Sequence, residues 1–369
     1  MPCRESGTGQ TGENGEGPAR PPSSFTERSS GSVRFEVRSP VDPDEWQAIA
    51  DCSSSATFFH TPLWFSVFAV GNPATKVSAR IYRFEDGTKA VFPLLVRTRA
   101  GGLLRMAESS PAGCYGGWVS GDPLTTDQAL AITHSIRRSV PYLVWRVNPL
   151  DPLSDVLAPF TTTPDTTEIL DLRGFADEDS IRAHFRHSAR KQINKGTRAA
   201  LIARVSERWD EWEAYYRIYL ARMEQWGRAT SSRYSIAFFR ALFEAKGPKV
   251  SLWVVSHEGK LVGGNVNFYQ GKHCVEWHAA YDATAHSLGV RDFLVDWIIR
   301  DAFRRGFSWY DFNPSGGHEG SRRFKQTFGT TSRPANLIIR RRGIYRLDPA
   351  RRVLREIRDR GQPPAREQT

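Results

Sequence analysis

The sequence has few cysteines and no long apolar stretch. The four cysteines of the 369-residue chain are far apart, without the paired spacing of a disulfide framework or a zinc site. No run of about 18 or more apolar residues is present, so we expect no membrane span. The first residues lack the charged-then-apolar pattern of a secretory signal, which favours a cytoplasmic protein.

Motifs of several enzyme classes are also missing. The sequence has no Gly-x-Ser-x-Gly elbow, no His-Glu-x-x-His helix and no Gly-Lys-Ser/Thr that would close a phosphate-binding loop. What the sequence does have is a formal net charge of +11 and an isoelectric point of about 9.7. This balance favours an anionic partner, such as nucleic acid, a phosphorylated metabolite or a membrane surface. We expect no metal site.

The length and composition predict a globular protein with two similar halves. The chain is 40% hydrophobic and 12% aromatic, enough for a sizeable core. Residues 1–32 are polar and glycine-rich and predict a disordered tail, and residues 346–369 predict a basic C-terminal tail. Residues 33–165 and 166–345 each show helices, a strand hairpin, a further helix and a returning strand, which predicts an α+β domain occurring twice.

The most informative segment is a strand, a glycine-bearing turn and a helix. Residues 274–281 alternate as a strand does, and an apolar-periodic helix is predicted over residues 290–304. Unpaired N–H groups at a helix N-terminus attract anions, and a glycine lets a pyrophosphate approach the backbone. A phosphate-bearing donor is therefore expected to bind at His286, Gly289, Val290 and Arg291. An ordinary helix entry is the alternative.

A helix predicted over residues 177–198 carries arginines at a spacing of four. Arg182, Arg186 and Arg190 would form one stripe, and like charges at this spacing repel unless an anion binds. Arg186 and Arg190 are therefore candidates for binding the phosphates of a substrate, including those of tRNA. A solvated basic face fits the same spacing.

Ionisable and aromatic side chains mark the strands of the second half. Glu276 and His278 are two residues apart, so a regular strand places both on one face, as a general base with its orienting partner or as a simple polar pair. Tyr281 and Asp311 lie at predicted strand ends and are candidate substrate-binding residues. Residues 316–329 are rich in glycine and cations, which predicts a mobile loop near the site, with a surface turn as the alternative.

Four pieces of the chain resemble the Gcn5-related N-acetyltransferase (GNAT) superfamily, and more narrowly its tandem FemAB-like branch and the related BioF2-like acetyltransferase domains. The pieces are residues 58–64 (FFHTPLW), 109–117 (SSPAGCYGG), 185–196, and Asp311-Phe-Asn followed by Phe324-Lys325-x-x-Phe-Gly. The resemblance implies two Gcn5-like α+β domains, each a mixed sheet flanked by helices.

The resemblance also implies a reaction. Members of the superfamily transfer an acyl group from acyl-CoA to an amine, and the FemABX ligases transfer an aminoacyl group from aminoacyl-tRNA to a peptidoglycan precursor. In that branch a Phe-Lys pair lies at the acyl-transfer site, which makes Phe324 and Lys325 candidate catalytic residues. The pyrophosphate loop of the superfamily reads Gln/Arg-x-x-Gly-x-Gly/Ala, and His286 and Arg291 depart from that pattern.

The expected activity is thus acyl or aminoacyl transfer to a small amine, in cell-wall or polysaccharide metabolism, with the donor as co-substrate and no resident cofactor. Lys325 would stabilise developing negative charge, and Glu276 or His278 would take the amine proton. The alternative from another class is a non-catalytic protein of the same fold that binds nucleic acid or another anionic partner.

Overall fold

Three β-sheets flanked by helices make up the described parts of the chain, which in this computed structural model are residues 23–28, 33–70, 75–99, 104–226 and 234–346. The strands of the first half are β1 (Ser23–Arg28), β2 (Arg34–Ser39), β3 (Thr75–Val77), β4 (Arg80–Phe84), β5 (Lys89–Phe92), β6 (Leu95–Arg99), β7 (Leu104–Glu108), β8 (Val119–Ser120) and β9 (Tyr142–Arg146). Its helices are α1 (Pro43–Cys52), α2 (Pro62–Val70) and α3 (Thr126–Ser139).

The second half follows the same mixed pattern with longer strands. Its strands are β10 (Thr166–Asp171), β11 (Ile202–Val205), β12 (Val250–His257), β13 (Lys260–Gln270), β14 (His273–Tyr281), β15 (Trp309–Asp311), β16 (Thr331–Pro334) and β17 (Leu337–Arg341). Its helices are α4 (Glu178–His184), α5 (His187–Arg198), α6 (Trp209–Trp226), α7 (Ile236–Glu244), α8 (Ala285–Leu288), α9 (Val290–Arg304) and α10 (Glu319–Gln326). The α+β tandem prediction is confirmed.

The seven-stranded sheet of the second half has the order β11-β12-β13-β14-β15-β10-β16. β14 and β15 are parallel neighbours, and they pair only from His273 opposite Trp309 to Val275 opposite Asp311. β14 continues to Tyr281, whereas β15 ends at Asp311. The two strands therefore separate beyond this point and leave a gap in the sheet.

The last strand of the described chain completes a sheet of the first half. The two five-stranded sheets have the orders β1-β2-β4-β5-β8 and β17-β9-β7-β6-β3. β17 pairs antiparallel with β9, from Leu337 opposite Arg146 to Arg341 opposite Tyr142. The boundary between residues 33–165 and 166–345 stays a prediction, and β17 connects the two ranges.

An aromatic core joins the two halves. Phe58 stacks on Phe268 of β13 with ring centroids 4.3 Å apart, and Trp64 of α2 meets Trp277 of β14 at 5.5 Å. Full burial of one such side chain contributes about 1.5–3 kcal/mol. This core covers one face of the seven-stranded sheet, while α4, α5 and α9 cover the other.

The helix predicted over residues 177–198 is wrong, because the chain forms α4 and α5 with a break between them. Phe185 and Arg186 have extended backbone at the break. The N–H of Arg186 donates to the carbonyl oxygen of Thr327 at 2.7 Å, and the Phe185 ring packs on Phe328. A contact with a distant segment thus interrupts a locally favourable helix.

Part of the N-terminal tail is ordered. Of the predicted disordered residues 1–32, Ser23–Arg28 form β1 and pair with β2, and Val33 begins the next described range, so the remainder lies outside the described residues. Residues 347–369 of the predicted C-terminal tail also lie outside them. Within the described ranges, no helix combines the length and apolar character that crossing a membrane requires.

Candidate active site

A β-bulge on β14 decides which side chains reach the gap between β14 and β15. Val266 of β13 pairs with His278, and the next residue, Asn267, pairs with Glu276. Trp277 is therefore an extra residue that shifts the alternation of the strand. Glu276 faces α9, while Trp277 and His278 face the aromatic core. The prediction that Glu276 and His278 share a face is wrong.

His278 lies away from the gap, between β14 and the helices α6 and α7. The Tyr215 hydroxyl lies 2.6 Å from its Nδ1, and the Tyr219 ring centroid lies 4.9 Å from its own. Burial lowers the pKa of His278 to about 4, so the ring is neutral near pH 7. Because the sheet separates the two side chains, His278 cannot orient Glu276.

Lys325 is a buried cation beside the gap. Its side chain is only 4% exposed, and its Nζ donates to the backbone oxygen of Asn313 at 2.6 Å. Burial lowers the pKa of Lys325 to about 8, and the nearby carboxylates of Glu276 and Asp311 oppose this effect. Most molecules therefore carry the charged lysine at pH 7, but the proton is held more weakly than in an exposed lysine.

The segment that holds the Phe-Lys pair is the helix α10, and the prediction of a mobile loop is wrong. Glu319 in its first turn pairs with Arg322 at 3.6 Å and with Arg323 at 3.2 Å. The Phe324 ring packs on the fully buried Phe328 at 5.3 Å. Local ion pairs and burial of the aromatic rings outweigh the glycines of the segment.

Glu276, on β14, is a carboxylate whose charge acts on this lysine. It is buried, and its Oε2 accepts a hydrogen bond from the Tyr310 hydroxyl at 3.2 Å. Burial raises the pKa of Glu276, and the positive charges of Arg291 and Lys325 oppose that rise. A carboxylate whose pKa is raised above its ordinary value holds a proton more strongly, and it is therefore suited to accept one.

Arg291 reaches the same region from the first turn of α9. Its guanidinium carbon lies 3.4 Å above the centre of the Phe324 ring, a cation–π geometry. The Tyr281 hydroxyl donates to Oδ1 of Asn265 at 2.7 Å, and burial together with the charge of Glu276 raises the pKa of Tyr281. The structure thus brings together the side chains that we call the gap cluster: Glu276, Tyr281, Arg291, Phe324 and Lys325.

The glycine turn before α9 serves helix packing. Gly289 has a φ of +72°, and a Cβ there would collide with the carbonyl oxygen of Gln192 on α5. The glycine therefore permits the close approach of α5, and the binding of a pyrophosphate at this turn stays a prediction. Val290 is buried and His286 is exposed. Burial raises the pKa of Asp292, in the first turn of α9, to about 6.

The arginine stripe is divided at the break between α4 and α5. Arg182 donates to Oδ1 of Asn194 at 2.9 Å, and Arg190 donates to the carbonyl oxygen of Ala183 at 2.6 Å. These two guanidinium groups connect the helices. Arg186 is exposed at the N-terminus of α5, next to the residue that follows α10. Of the two predicted phosphate ligands, Arg186 is the one whose side chain faces solvent.

Asp311 is buried, and protein groups occupy its carboxylate. Its Oδ1 accepts from the Thr167 hydroxyl at 3.0 Å and from the N–H of Asn313 at 2.7 Å, and its Oδ2 lies 3.0 Å from Nε2 of His273. The carboxylate thus makes its hydrogen bonds to protein groups, and these contacts do not support the prediction that Asp311 binds substrate. It supports the residue whose carbonyl holds Lys325.

Sequence reasoning missed three asparagines at this site. Asn265 and Asn267 are buried on β13, opposite residues 279 and 276 of β14, and Asn313 follows β15. The sequence pattern that could reveal two of them is the alternation of Asn265 and Asn267 with apolar residues. This pattern predicts two polar side chains on one face of an otherwise apolar strand, where they need hydrogen-bond partners.

The first half has the same parallel pair without the gap. β7 and β9 pair at residues 107–108 and 143–144. Beyond that point Ser109 donates its N–H to Val144 and Gly116 donates to Arg146, so the chain continues along β9. In the first half, this continuing chain fills the place that the gap between β14 and β15 has in the second half. The candidate site therefore belongs to the second half.

Comparisons with known proteins agree with this placement. Residues 183–326 match the family model of the acetyltransferase (GNAT) domain. A search of curated proteins finds none that matches the sequence. The solved structure of FemX is 12% identical, with a TM-score of 0.65 over 86% of this chain and 99% of FemX.

Two further solved structures share the fold. The C-terminal domain of a lysylphosphatidylglycerol synthetase-like protein from Agrobacterium fabrum is 14% identical, with a TM-score of 0.53 over 83% of this chain and 95% of that domain. A conserved protein of unknown function from Bacteroides thetaiotaomicron is 10% identical, with a TM-score of 0.53 over 81% of this chain and 97% of its own. At these identities the likeness concerns the fold alone.

The family match and the geometry point to the same part of the chain. The matched range, residues 183–326, contains every member of the gap cluster. The narrower resemblance to BioF2-like domains stays a prediction. Residues 183–326, in the second half of the chain, are thus similar to the acetyltransferase (GNAT) domain family, and the chain as a whole shares the α+β fold of FemX.

Proposed function

We propose that this protein is an N-acyltransferase that moves an acyl or aminoacyl group from an activated ester or thioester to an amine. The observation that carries the proposal is the convergence of Lys325 and Glu276 at the gap between β14 and β15. Among the described residues, no strand pairs with this edge of β14 beyond Val275, and the backbone groups along it suit an extended donor.

The chemistry follows from the charges of the two side chains. The carbon–oxygen or carbon–sulfur bond of the donor breaks, and the leaving tRNA or CoA takes a proton from solvent to become a free hydroxyl or thiol. In the same reaction the amine nitrogen forms a bond to the donor carbonyl carbon and loses its proton. Glu276 accepts that proton, because burial raises its pKa. Lys325, as a cation, stabilises the negative carbonyl oxygen of the tetrahedral intermediate. Correct orientation of amine and carbonyl supplies about 7–11 kcal/mol in well-ordered systems.

Two donors carry the required chemistry, an acyl-CoA thioester and an aminoacyl-tRNA ester. Both carry phosphates, and the exposed Arg186 beside α10 is the cation that we assign to them. The turn at Gly289 contacts α5, so the usual close approach of a CoA pyrophosphate at this glycine is unsupported. Both donors therefore enter the test.

The test is an acyl-transfer assay with a defined donor panel. The purified protein is incubated with acetyl-CoA, a longer acyl-CoA or charged tRNA, each with a mixture of amines that includes amino sugars, and mass spectrometry detects the N-acylated product. We expect product with one donor class. Lys325→Met and Glu276→Gln should each lower the rate by about 100-fold or more.

The matched control is Lys260→Met, at the exposed first residue of β13, which should leave the rate unchanged. A rate for Lys325→Met equal to that of the wild type would remove Lys325 from the reaction. Binding of tRNA or duplex DNA without product from any donor would support the non-catalytic alternative instead.

A further inference from the structure

Asn313, just after β15, has a left-handed backbone conformation. Its φ is +58°, a value that residues other than glycine rarely adopt. Such a conformation costs about 1–3 kcal/mol and persists only where the surrounding structure holds it. Asparagine tolerates it better than most residues. The position therefore points to a constraint that the neighbouring groups impose.

Asp311 supplies that constraint. The Oδ1 of Asp311 accepts the N–H of Asn313 at 2.7 Å, which closes a turn over two residues. The Thr167 hydroxyl and the His273 ring fix the carboxylate from two other strands, each at 3.0 Å. Because Asp311 is fully buried, solvent does not compete for these hydrogen bonds.

The first half of the chain packs against the turn at Asn313. The Asn313 side-chain nitrogen donates to the Cys114 sulfur at 3.8 Å. Tyr115 is fully buried, and its pKa is raised well above the ordinary value by burial and then by the charge of Asp311. The loop that fills the gap of the first half thus packs on the turn of the second half.

These contacts fix the direction of one backbone carbonyl group, that of Asn313. The oxygen of Asn313 accepts from Nζ of Lys325 at 2.6 Å, and this contact fixes the end of a long, otherwise rotatable side chain. An ammonium group has three donors, so two remain for a substrate. The charged groups that face Lys325 from the packed elements are Glu276 on β14, Asp311 on β15, Glu168 on β10 and Arg291 on α9.

We propose that the turn from Asp311 to Asn313 is a positioning device for Lys325: Asp311 holds Asn313 in the left-handed conformation, and the Asn313 carbonyl then fixes the ammonium group at the gap. Asp311 and Asn313 are positioning residues in this assignment, and neither touches the substrate. The role of this turn in catalysis rests on the proposed function. The placement of Lys325 by the turn can be measured without any substrate.

The first test compares two substitutions of Asn313. Asn313→Gly keeps the carbonyl and adopts a positive φ without strain, so we expect kcat within about threefold of the wild type. Asn313→Val disfavours that conformation through its branched Cβ, so kcat should fall by about 10- to 100-fold while KM changes little. A kcat for Asn313→Val as high as that of Asn313→Gly would overturn the proposal.

The second test reads Lys325 directly and needs no activity. The chain has nine lysines, so NMR of protein labelled at the lysine side chains resolves them, and Lys325→Met identifies the signal of Lys325. Asp311→Asn keeps an acceptor for the Asn313 N–H but removes a negative charge near Lys325. We expect Lys325 to titrate near pH 8 in the wild type and at lower pH in Asp311→Asn.

The two tests separate the two claims. A Lys325 titration in Asn313→Val equal to that of the wild type, measured on folded protein as shown by circular dichroism, would overturn the positioning role, because a shift in Asp311→Asn alone follows from the lost charge. A shifted titration without acyl transfer from any donor would leave the turn as the holder of Lys325 and refute only the proposed function.

Discussion

Replacing Lys325 by methionine should change how the free energy of unfolding depends on pH. Burial lowers the pKa of Lys325 from 10.5 to about 8. Between these two values the unfolded state binds more protons than the folded state, so stability rises with pH in this interval. Below about pH 8 Lys325 is charged in both states, and burial of that charge lowers the free energy of unfolding by its full amount. This loss of stability disappears as the pH approaches 10.5.

The size of the effect follows from the interval. A lysine whose pKa falls from 10.5 to about 8 contributes roughly 3 kcal/mol of pH-dependent stability, since each tenfold change in proton affinity is worth about 1.4 kcal/mol. Methionine is similar in length and carries no charge, so it fills the site without titrating. The difference between the two proteins isolates this one group from the other titrating residues.

The assay is urea-induced unfolding of the wild type and Lys325→Met at several pH values from 7 to 10.5. The stability of the wild type relative to the variant should rise by roughly 3 kcal/mol across this range. Lys260→Met, at the exposed start of β13, should show the pH dependence of the wild type. A constant difference between the wild type and Lys325→Met would refute the burial of Lys325 as a cation.

Three other outcomes are expected. Glu276→Gln should remove the acid limb of the pH profile of kcat/KM. Burial raises the pKa of Glu276, and the reactive carboxylate is lost as the pH falls through that pKa. An unchanged acid limb would exclude Glu276 as the base. Gly289→Ala should lower the free energy of unfolding by about 1–3 kcal/mol, because the new Cβ collides with Gln192 at a positive φ, and equal stability in urea would contradict the packing of α5 on α9. Arg186→Ala should weaken donor binding in a salt-dependent way, whereas Arg190→Ala should mainly destabilise the junction of α4 and α5, as binding and melting curves would show. Equal effects of the two arginine variants on donor affinity would count against the assignment of Arg186.

Elements fixed by local pattern could be predicted from the sequence. The helix over Val290–Arg304 has the predicted bounds, and the strand predicted over residues 274–281 is found at His273–Tyr281. The break between α4 and α5 could not be predicted, because it depends on the contact of Arg186 with Thr327, which is distant in the chain. The glycine-rich segment before Lys325 is helical for a similar reason, since Phe328 anchors it in the core.

The sequence predicts which residues belong to the candidate site better than it predicts how they are arranged. The family resemblance predicts Lys325 and Phe324, and the strand pattern predicts Glu276. The bulge at Trp277 depends on how β13 and β14 pair, and no local pattern in β14 reveals it, so His278 was assigned to the wrong face. The supporting role of Asp311 is likewise visible only once three strands are placed side by side.

A crystal structure with an unreactive donor analogue is the most direct test of the central claim that acyl transfer occurs at the gap. We expect the donor carbonyl between β14 and β15, with its oxygen about 3 Å from Nζ of Lys325. A carbonyl bound elsewhere, for instance in the cavity beside Arg80 and Ser139 of the first half, would contradict the account.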